Sequence, residues 1–307
     1  MTGKRGEDLP FKNIALIGLG LIGSSIARGV RESMPAARLR AYDRSAEVRR
    51  RAVGLNLVDM LVDDPGAAVE SADLVIFCVP VGAMEEAARS VCGHLPPNAV
   101  VSDVGSCKGP VLKALRQALP EASIIGAHPI AGTENSGPEA GFAALFRNRW
   151  CILTPERRDD QADRLAAFWT ALGARVEFMD PGRHDLVLAV TSHLPHLIAF
   201  TIVGTASHLE AVTEGEVIKY SAGGFRDFTR IAASDPIMWR DIFLANREAV
   251  LEVLGHFLGD LGTLSQAIEK NDAGLLFDWF SRTRLIRRAI VYEGQDVAAP
   301  DFGRAGD

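Results

Sequence analysis

The glycine spacing near the N-terminus constrains the fold more than any other feature of the chain. An apolar run over residues 14–17 leads into Gly18, and Gly20 and Gly23 follow at G-x-G-x-x-G spacing. From Leu21 and Ile22 onward, apolar residues recur at helical intervals. A strand, a tight turn and a helix in this order are typical of a dinucleotide-binding unit. We expect Gly18 to allow the turn, Gly20 to leave room for a pyrophosphate, and Gly23 to let the helix pack closely on its strand.

The residue after the second predicted strand indicates which dinucleotide binds. Residues 39–42 lead into Asp43, 20 residues beyond Gly23. An acidic side chain at this place accepts hydrogen bonds from the adenosine ribose and repels a 2′-phosphate, which favours NAD over NADP. Arg44 follows directly and is suited to a 2′-phosphate, so NADP stays an alternative cofactor.

Strand and helix patterns alternate up to residue 180, and later residues read as almost entirely helical. This order predicts an α/β fold: a Rossmann-type, doubly wound, mostly parallel sheet over residues 1–180, then an all-helical domain over 181–294. Residues 295–307 are predicted to be a disordered tail. The unbroken apolar run 74–79 ends with Val79 and is followed by Pro80, and we expect residues 79–82 to lie beneath the cofactor. Helices are predicted at 185–209, 214–220, 235–257, 261–270 and 273–291.

Charge and hydropathy exclude several classes of partner. The net charge of −6 argues against nucleic acid, which needs a basic face. No unbroken apolar run reaches the ~18 residues of a membrane span, and the polar N-terminus lacks a signal-peptide core, so we expect no membrane-spanning segment. We therefore predict a cytoplasmic protein with no membrane partner. The four cysteines are scattered, which suits reduced thiols. The segment 235–258 is apolar around most of its helical circumference, which indicates a buried helix or a dimer interface.

Two polar loops follow neighbouring predicted strands. Residues 103–109 include Ser106 and Lys108, and residues 128–137 begin at His128. The carboxyl ends of parallel strands face the ligand crevice, so both loops should meet the nicotinamide. His128 is the best candidate general base, because an imidazole with a pKa near ~6.5 can remove a hydroxyl proton at neutral pH. Ser106 is suited either to contact the substrate hydroxyl or to orient the imidazole, and Lys108 is a possible anion contact.

Two further polar clusters lie in the helical part. His193 and His196 fall on one helix face, with His184 and Asp185 upstream. Zinc is conceivable there, but no recognised ligand set is present and we predict no metal. A glycine pair at 223–224 precedes Arg226 and Arg230, which suits capture of a carboxylate.

Together these motifs resemble the prephenate/arogenate dehydrogenases, the cyclohexadienyl dehydrogenases of tyrosine biosynthesis. The resemblance covers roughly residues 11–292. It rests on the glycine fingerprint, on Ser106-x-Lys108, on the run from His128 to Gly137, on residues 192–196, and on segments 223–232 and 235–241. It implies NAD-dependent oxidative decarboxylation of a small anionic cyclohexadiene. It also implies a homodimer through the helical domain, in which the arginine segment can reach the neighbouring subunit's site.

The resemblance also implies roles for individual residues. His128 would accept the ring-hydroxyl proton, and Ser106 would lie near both that hydroxyl and the nicotinamide. Arg230 would hold a substrate carboxylate. The remaining candidate substrate contacts are Thr133, Glu134, His196, Asp227 and Trp239.

Two other functions stay open at this stage. A β-hydroxyacid-type dehydrogenase also has a Rossmann domain followed by helices, but it would need a catalytic lysine in the stretch 185–209, which has none. A dinucleotide-sensing dimer without catalysis is the second alternative. No single residue decides between prephenate and arogenate as substrate.

Overall fold

The computed structural model describes residues 9–133, 135–210 and 223–292. Its strands form one sheet in the order β3-β2-β1-β4-β5-β6-β7-β8. All neighbours pair in parallel except β6 and β7, which are antiparallel. The strands are β1 (Asn13–Ile17), β2 (Arg38–Tyr42), β3 (Met60–Leu61), β4 (Leu74–Phe77), β5 (Val100–Asp103), β6 (Ser123–Pro129), β7 (Trp150–Thr154) and β8 (Arg175–Phe178). The predicted Rossmann-type α/β fold with a helical C-terminal part is confirmed.

Helices cover both faces of the sheet and form the C-terminal part of the chain. They are α1 (Leu21–Ser33), α2 (Ala46–Gly54), α3 (Pro65–Val69), α4 (Met84–Arg89), α5 (Gly109–Ala118), α6 (Asp160–Ala171), α7 (Pro181–Leu188), α8 (Leu194–Glu210), α9 (Gly223–Thr229), α10 (Pro236–Ala245), α11 (Arg247–Glu269) and α12 (Ala273–Tyr292). Short 3-10 turns include Val81–Ala83, Pro138–Ala140, Ala143–Phe146 and Arg230–Ala233.

Strand β1 shows why the sheet lies in the middle of this fold. Ile14 and Leu16 pack in one buried apolar cluster, whereas Ala15 and Ile17 pack in another. Successive side chains of a strand point to opposite faces, so the two clusters are the cores on the two faces of the sheet. A strand buried on both faces needs an unbroken apolar run, and β4 is such a run.

Helices α7 and α8 are joined by a π-helical turn over Ala189–His193 and form one long helix. By length and hydropathy alone, the stretch Pro181–Leu209 is able to span a bilayer. The expectation that no segment would reach this length was therefore wrong. The polar residues 191–193 interrupt the apolar run in the sequence. The mean hydropathy of the whole stretch is nevertheless high enough for a membrane span.

The predicted helices over 235–257 and 261–270 were divided at the wrong place. The structure has α10 ending before Asn246 and α11 running without a break from Arg247 to Glu269. Asn246 is buried, and its side-chain amide donates to the main-chain carbonyl of Asp185 at 2.8 Å. The break thus depends on a contact 61 residues away along the chain, which helical periodicity does not reveal.

Two compact units emerge from the contacts, Met1–Val250 and Leu251–Asp307. The predicted domain division at residue 180 stays a prediction. The predicted helix over 214–220 and the predicted tail over 295–307 lie outside the described residues.

Candidate active site

The glycine loop at the start of α1 has the shape that a pyrophosphate site requires. Gly18 has a φ of +102°, and a Cβ there would lie 2.5 Å from the carbonyl oxygen of Cys78. A Cβ on Gly23 would lie 2.1 Å from the carbonyl oxygen of Gly18, whereas one on Gly20 would meet open space. No side chain caps the first amides of α1, beginning at Leu21 and Ile22. These amides and the open space at Gly20 fit a bound dinucleotide.

Asp43 lies at the end of β2 and braces this loop. One carboxylate oxygen accepts the Leu19 amide at 2.8 Å, and the other accepts the Ser45 amide at 2.9 Å. Each oxygen keeps a further lone pair for a ribose hydroxyl. Arg44 is exposed beside it. Val79 and Pro80 follow β4, with Val79 half-buried and Pro80 exposed.

The loop after β5 holds Ser106 and Lys108 in different environments. Ser106 is half-buried, and no hydrogen bond joins it to His128 among the described residues. Lys108 is fully buried: its Nζ forms an ion pair with Asp103 and donates to the Ala127 carbonyl at 2.8 Å. Lys108 is therefore a structural residue here, which corrects the idea that it contacts an anionic ligand. A buried ammonium of this kind has to be paired.

His128 is the penultimate residue of strand β6 and lies within hydrogen-bond distance of a second histidine. Its Nδ1 is 2.9 Å from Nε2 of His184, and the rings meet edge to face at 5.1 Å between centroids. Nδ1 of His184 is 2.8 Å from Oδ1 of Asp185. Asp185, His184 and His128 thus form a buried hydrogen-bonded chain. At its end, Nε2 of His128 has no hydrogen-bond partner among the described residues.

Burial keeps the imidazole of His128 neutral. It lowers the pKa of His128 well below 6.5, and the proximity of His184 and Lys108 acts in the same direction. Burial also lowers the pKa of His184, although the hydrogen bond to Asp185 opposes that effect. A neutral imidazole has a lone pair available near pH 7, which a general base needs.

A second group of rings comes from the π-helical turn, the start of α8 and α10. His196 stacks on the indole of Trp239, and His193 meets the same indole edge to face at 6.0 Å. Nδ1 of His196 is 2.8 Å from the Ser192 carbonyl, so it carries the proton and donates. π-Helical turns inside α-helices occur frequently at functional sites. Here the turn brings both histidines onto Trp239.

The positions of the remaining predicted contacts differ. Arg230 lies close enough to His196 for its charge to help lower the pKa of that imidazole, an effect due mainly to burial. Asp227 is exposed on α9, one turn from Gly223. Thr133 is exposed, and its hydroxyl accepts the Asn135 amide at 3.2 Å. Glu134 lies outside the described residues.

Sequence analysis missed the partnership of His184 and Asp185 with His128. It noted both residues, but only as conceivable zinc ligands. Among the described residues, no group of three histidine, cysteine or acidic side chains is arranged to hold a metal. The adjacent pair His-Asp at a helix start was the available clue, but the facing histidine lies 56 residues earlier.

A Rossmann sheet, a glycine loop at a helix start and a neutral histidine at a strand end define a dinucleotide-dependent dehydrogenase. Family models give the particular family: residues 26–178 match the nucleotide-binding domain of prephenate dehydrogenase, and residues 180–282 match its dimerization domain. The chain belongs to the prephenate dehydrogenase family. The resemblance and the enzyme class predicted from the sequence are thus confirmed.

Individual relatives agree with this assignment. The chain is 45% identical over 282 residues to a cyclohexadienyl dehydrogenase of Zymomonas mobilis. The aligned region covers 91% of this chain and 96% of the relative. It is 36% identical to the Aquifex aeolicus prephenate dehydrogenase solved with hydroxyphenyl propionate and NAD+, with a TM-score of 0.86 and coverage of 92% and 100%. A Synechocystis arogenate dehydrogenase structure is 26% identical, with a TM-score of 0.78 and coverage of 90% and 99%. The NAD prediction agrees with the Aquifex complex.

Proposed function

We propose that this protein catalyses the NAD-dependent oxidative decarboxylation of prephenate, arogenate or both. The observation that carries the proposal is His128: a neutral, buried imidazole at the carboxyl end of β6, with Nε2 open and Nδ1 held by His184. That edge of the sheet is where a doubly wound fold binds its dinucleotide. The products would be 4-hydroxyphenylpyruvate from prephenate and tyrosine from arogenate.

The chain's own residues prepare the substrate for hydride loss. Nε2 of His128 accepts the proton of the ring hydroxyl while hydride leaves the same ring carbon. The bond from the ring to its carboxylate breaks, CO2 departs, and the electron pair of that bond makes the ring an aromatic phenolate, which regains one proton to give the phenol product. NAD, when bound, accepts the hydride. Because aromatisation drives the reaction, the protein mainly has to position the ring and deprotonate it.

Arg230 and His196 are the proposed anchors of the anionic substrate. The turn Arg230–Ala233 packs against α8, which carries His196. After burial, the charge of Arg230 also contributes to the lowered pKa of His196. A guanidinium holds a carboxylate through two parallel hydrogen bonds. Trp239 would hold the imidazole of His196 in place by stacking against it. Thr133, Glu134 and Asp227 remain proposed contacts at the rim, and Ser106 a proposed contact of the hydroxyl and nicotinamide.

NAD is the proposed cofactor, with Gly18, Gly20 and Gly23 cradling the pyrophosphate and Asp43 facing the ribose. The two main-chain amides that Asp43 accepts hold its carboxylate at the end of β2. Arg44 beside it leaves some use of NADP open. Val79 and Pro80 would lie under the bound dinucleotide.

A homodimer through the helical part is also proposed. Apolar side chains are exposed on the long helix Pro181–Leu209, in the region that matches a dimerization domain. They include Leu186, Val190, Ile202 and Val203. A partner subunit would cover such a surface, which also explains a helix apolar enough for a bilayer in an enzyme that we place in the cytoplasm.

The direct test is to supply prephenate or arogenate with NAD and follow absorbance of the reduced cofactor and release of CO2. We expect stoichiometric formation of both with at least one substrate. NAD binding without turnover of either would favour the dinucleotide sensor. The β-hydroxyacid alternative has no support in the long helix, because residues 181–210 contain no lysine.

A further inference from the structure

We propose that His184 and Asp185 are positioning residues that fix the tautomer of His128, so that its Nε2 is the proton acceptor. The inference rests on the function proposed above and explains how this chain prepares its base. It follows from counting donors and acceptors along three buried side chains.

The chain of hydrogen bonds starts at Asp185, which can only accept. Its Oδ1 accepts the Lys108 amide at 2.6 Å, and its Oδ2 accepts the Gly109 amide at 2.8 Å. These amides begin helix α5, whose dipole favours a carboxylate at this end. The same bonds and His184 keep the pKa of Asp185 below its usual value, although burial opposes them. Asp185 is therefore ionised, and the His184 nitrogen facing it must carry a proton.

The remaining protons follow from this first one. A neutral His184 with its proton on Nδ1 has a lone pair on Nε2. That lone pair faces Nδ1 of His128 at 2.9 Å, so Nδ1 of His128 must donate. Neutral His128 then has its lone pair on Nε2, the nitrogen with no partner among the described residues. An isolated imidazole side chain in water favours the opposite tautomer, with the proton on Nε2.

Burial makes this arrangement obligatory. His184 is 0% exposed, so water cannot replace either of its partners. Asn246 donates to the main-chain carbonyl of Asp185 and holds the start of the long helix in place. The same chain serves the charged state: when His128 gains a proton, its Nδ1–H still donates to His184, and Asp185 stabilises the positive charge. An aspartate acts on a catalytic histidine in this way in Ser-His-Asp triads.

The tautomer can be measured in the native protein, with one variant needed only to assign the signal. We would label histidine with 15N, which gives seven residues to resolve, and assign His128 from the spectrum of His128→Asn. At a pH above 7 we expect a protonated Nδ1 and an unprotonated Nε2 on His128. An Nε2–H tautomer in the unliganded enzyme would overturn the proposal. This measurement needs no turnover, so it is independent of the substrate assignment.

Variants of His184 test the consequence for catalysis. His184→Leu removes the acceptor, and we expect kcat to fall ~10-fold or more with little change in KM. His184→Gln keeps an amide donor for Asp185 and a carbonyl acceptor for His128, so it should recover most of the lost kcat and the Nδ1–H tautomer. His94→Leu, at a half-exposed histidine, is the matched control. A Gln variant no better than the Leu variant, with both folded, would contradict the positioning role.

Discussion

The imidazole of His196 lies flat on the indole of Trp239, with 3.6 Å between ring centroids and 23° between ring planes. Trp239 is only 6% exposed, so its face supports His196 from the protein side. Nδ1 of the imidazole donates to the Ser192 carbonyl at 2.8 Å. His196 is therefore fixed in both plane and rotation, which is what a substrate-orienting side chain needs.

Trp239→Leu should release His196 and raise the KM for the cyclohexadiene substrate by roughly tenfold. It should also lower the unfolding free energy, by less than the about 3–5 kcal/mol of a truncation to Ala, because leucine fills only part of the space of the buried indole. Trp239→Phe retains an aromatic face and should keep KM within about threefold of the native value. Steady-state kinetics and urea unfolding give both numbers. A native KM in the folded Leu variant would remove Trp239 from the substrate site.

The glycine loop makes a prediction that separates binding from folding. Gly20→Ala adds a methyl group to open space, so the melting temperature should stay near the native value while NAD affinity falls ~10-fold. Gly23→Ala places a methyl group 2.1 Å from the Gly18 carbonyl oxygen, so it should lower the melting temperature as well. Thermal unfolding and calorimetric titration with NAD check both variants. Equal decreases in melting temperature for the two variants would contradict the proposed pyrophosphate site at the glycine loop.

Arg230→Gln should raise the KM for substrate about 10-fold to 100-fold with a smaller effect on kcat. A charge-assisted hydrogen bond contributes about 1.5–3 kcal/mol, which corresponds to this range. Arg226→Gln is the matched control, because Arg226, like Arg230, is an exposed arginine and lies on the preceding helix α9. If the Arg226 variant loses substrate affinity and the Arg230 variant does not, the anchor has been assigned to the wrong arginine.

Buried neutral histidines should make the fold sensitive to acid. Burial lowers the pKa of His193 to about 4. Below the unfolded-state pKa of ~6.5, His193 is protonated in the unfolded chain but stays neutral in the folded chain. The free energy of unfolding therefore falls as the pH falls. For one such group the slope approaches about 1.36 kcal/mol per pH unit until the folded pKa is reached. Denaturant unfolding between pH 7 and pH 4.5 should show a shallower slope for His193→Asn than for the native chain or for His94→Asn. Equal slopes would contradict a neutral His193.

The sequence predicted the sheet and the cofactor loop well because both depend on local patterns. Three local features support these predictions: the glycine spacing, the unbroken apolar run of β4 and the acidic residue after β2. Each reflects a structural requirement of residues close to it in the sequence. His128 was selected as a candidate on similar grounds, since a polar residue at the carboxyl end of a strand in a doubly wound sheet faces the ligand crevice, and its role stays a prediction.

Features that depend on distant contacts were missed. Asn246 interrupts a helical pattern because its amide reaches Asp185. Lys108 was interpreted as a possible anion contact but pairs with Asp103 inside the protein. His184 and Asp185 lie next to each other in the sequence, yet their role depends on His128 at the end of another element. Hydrophobic periodicity does not reveal such pairings, because each forms only when two elements that are distant in the sequence pack together.

The most direct test of the account is the turnover of His128→Asn, measured as formation of reduced cofactor from NAD with prephenate and with arogenate. We predict that kcat falls ~10²-fold or more, because the proton acceptor is lost, while the dissociation constant of NAD stays within about twofold. A folded variant with near-native turnover on the substrate that the native enzyme uses would contradict the account.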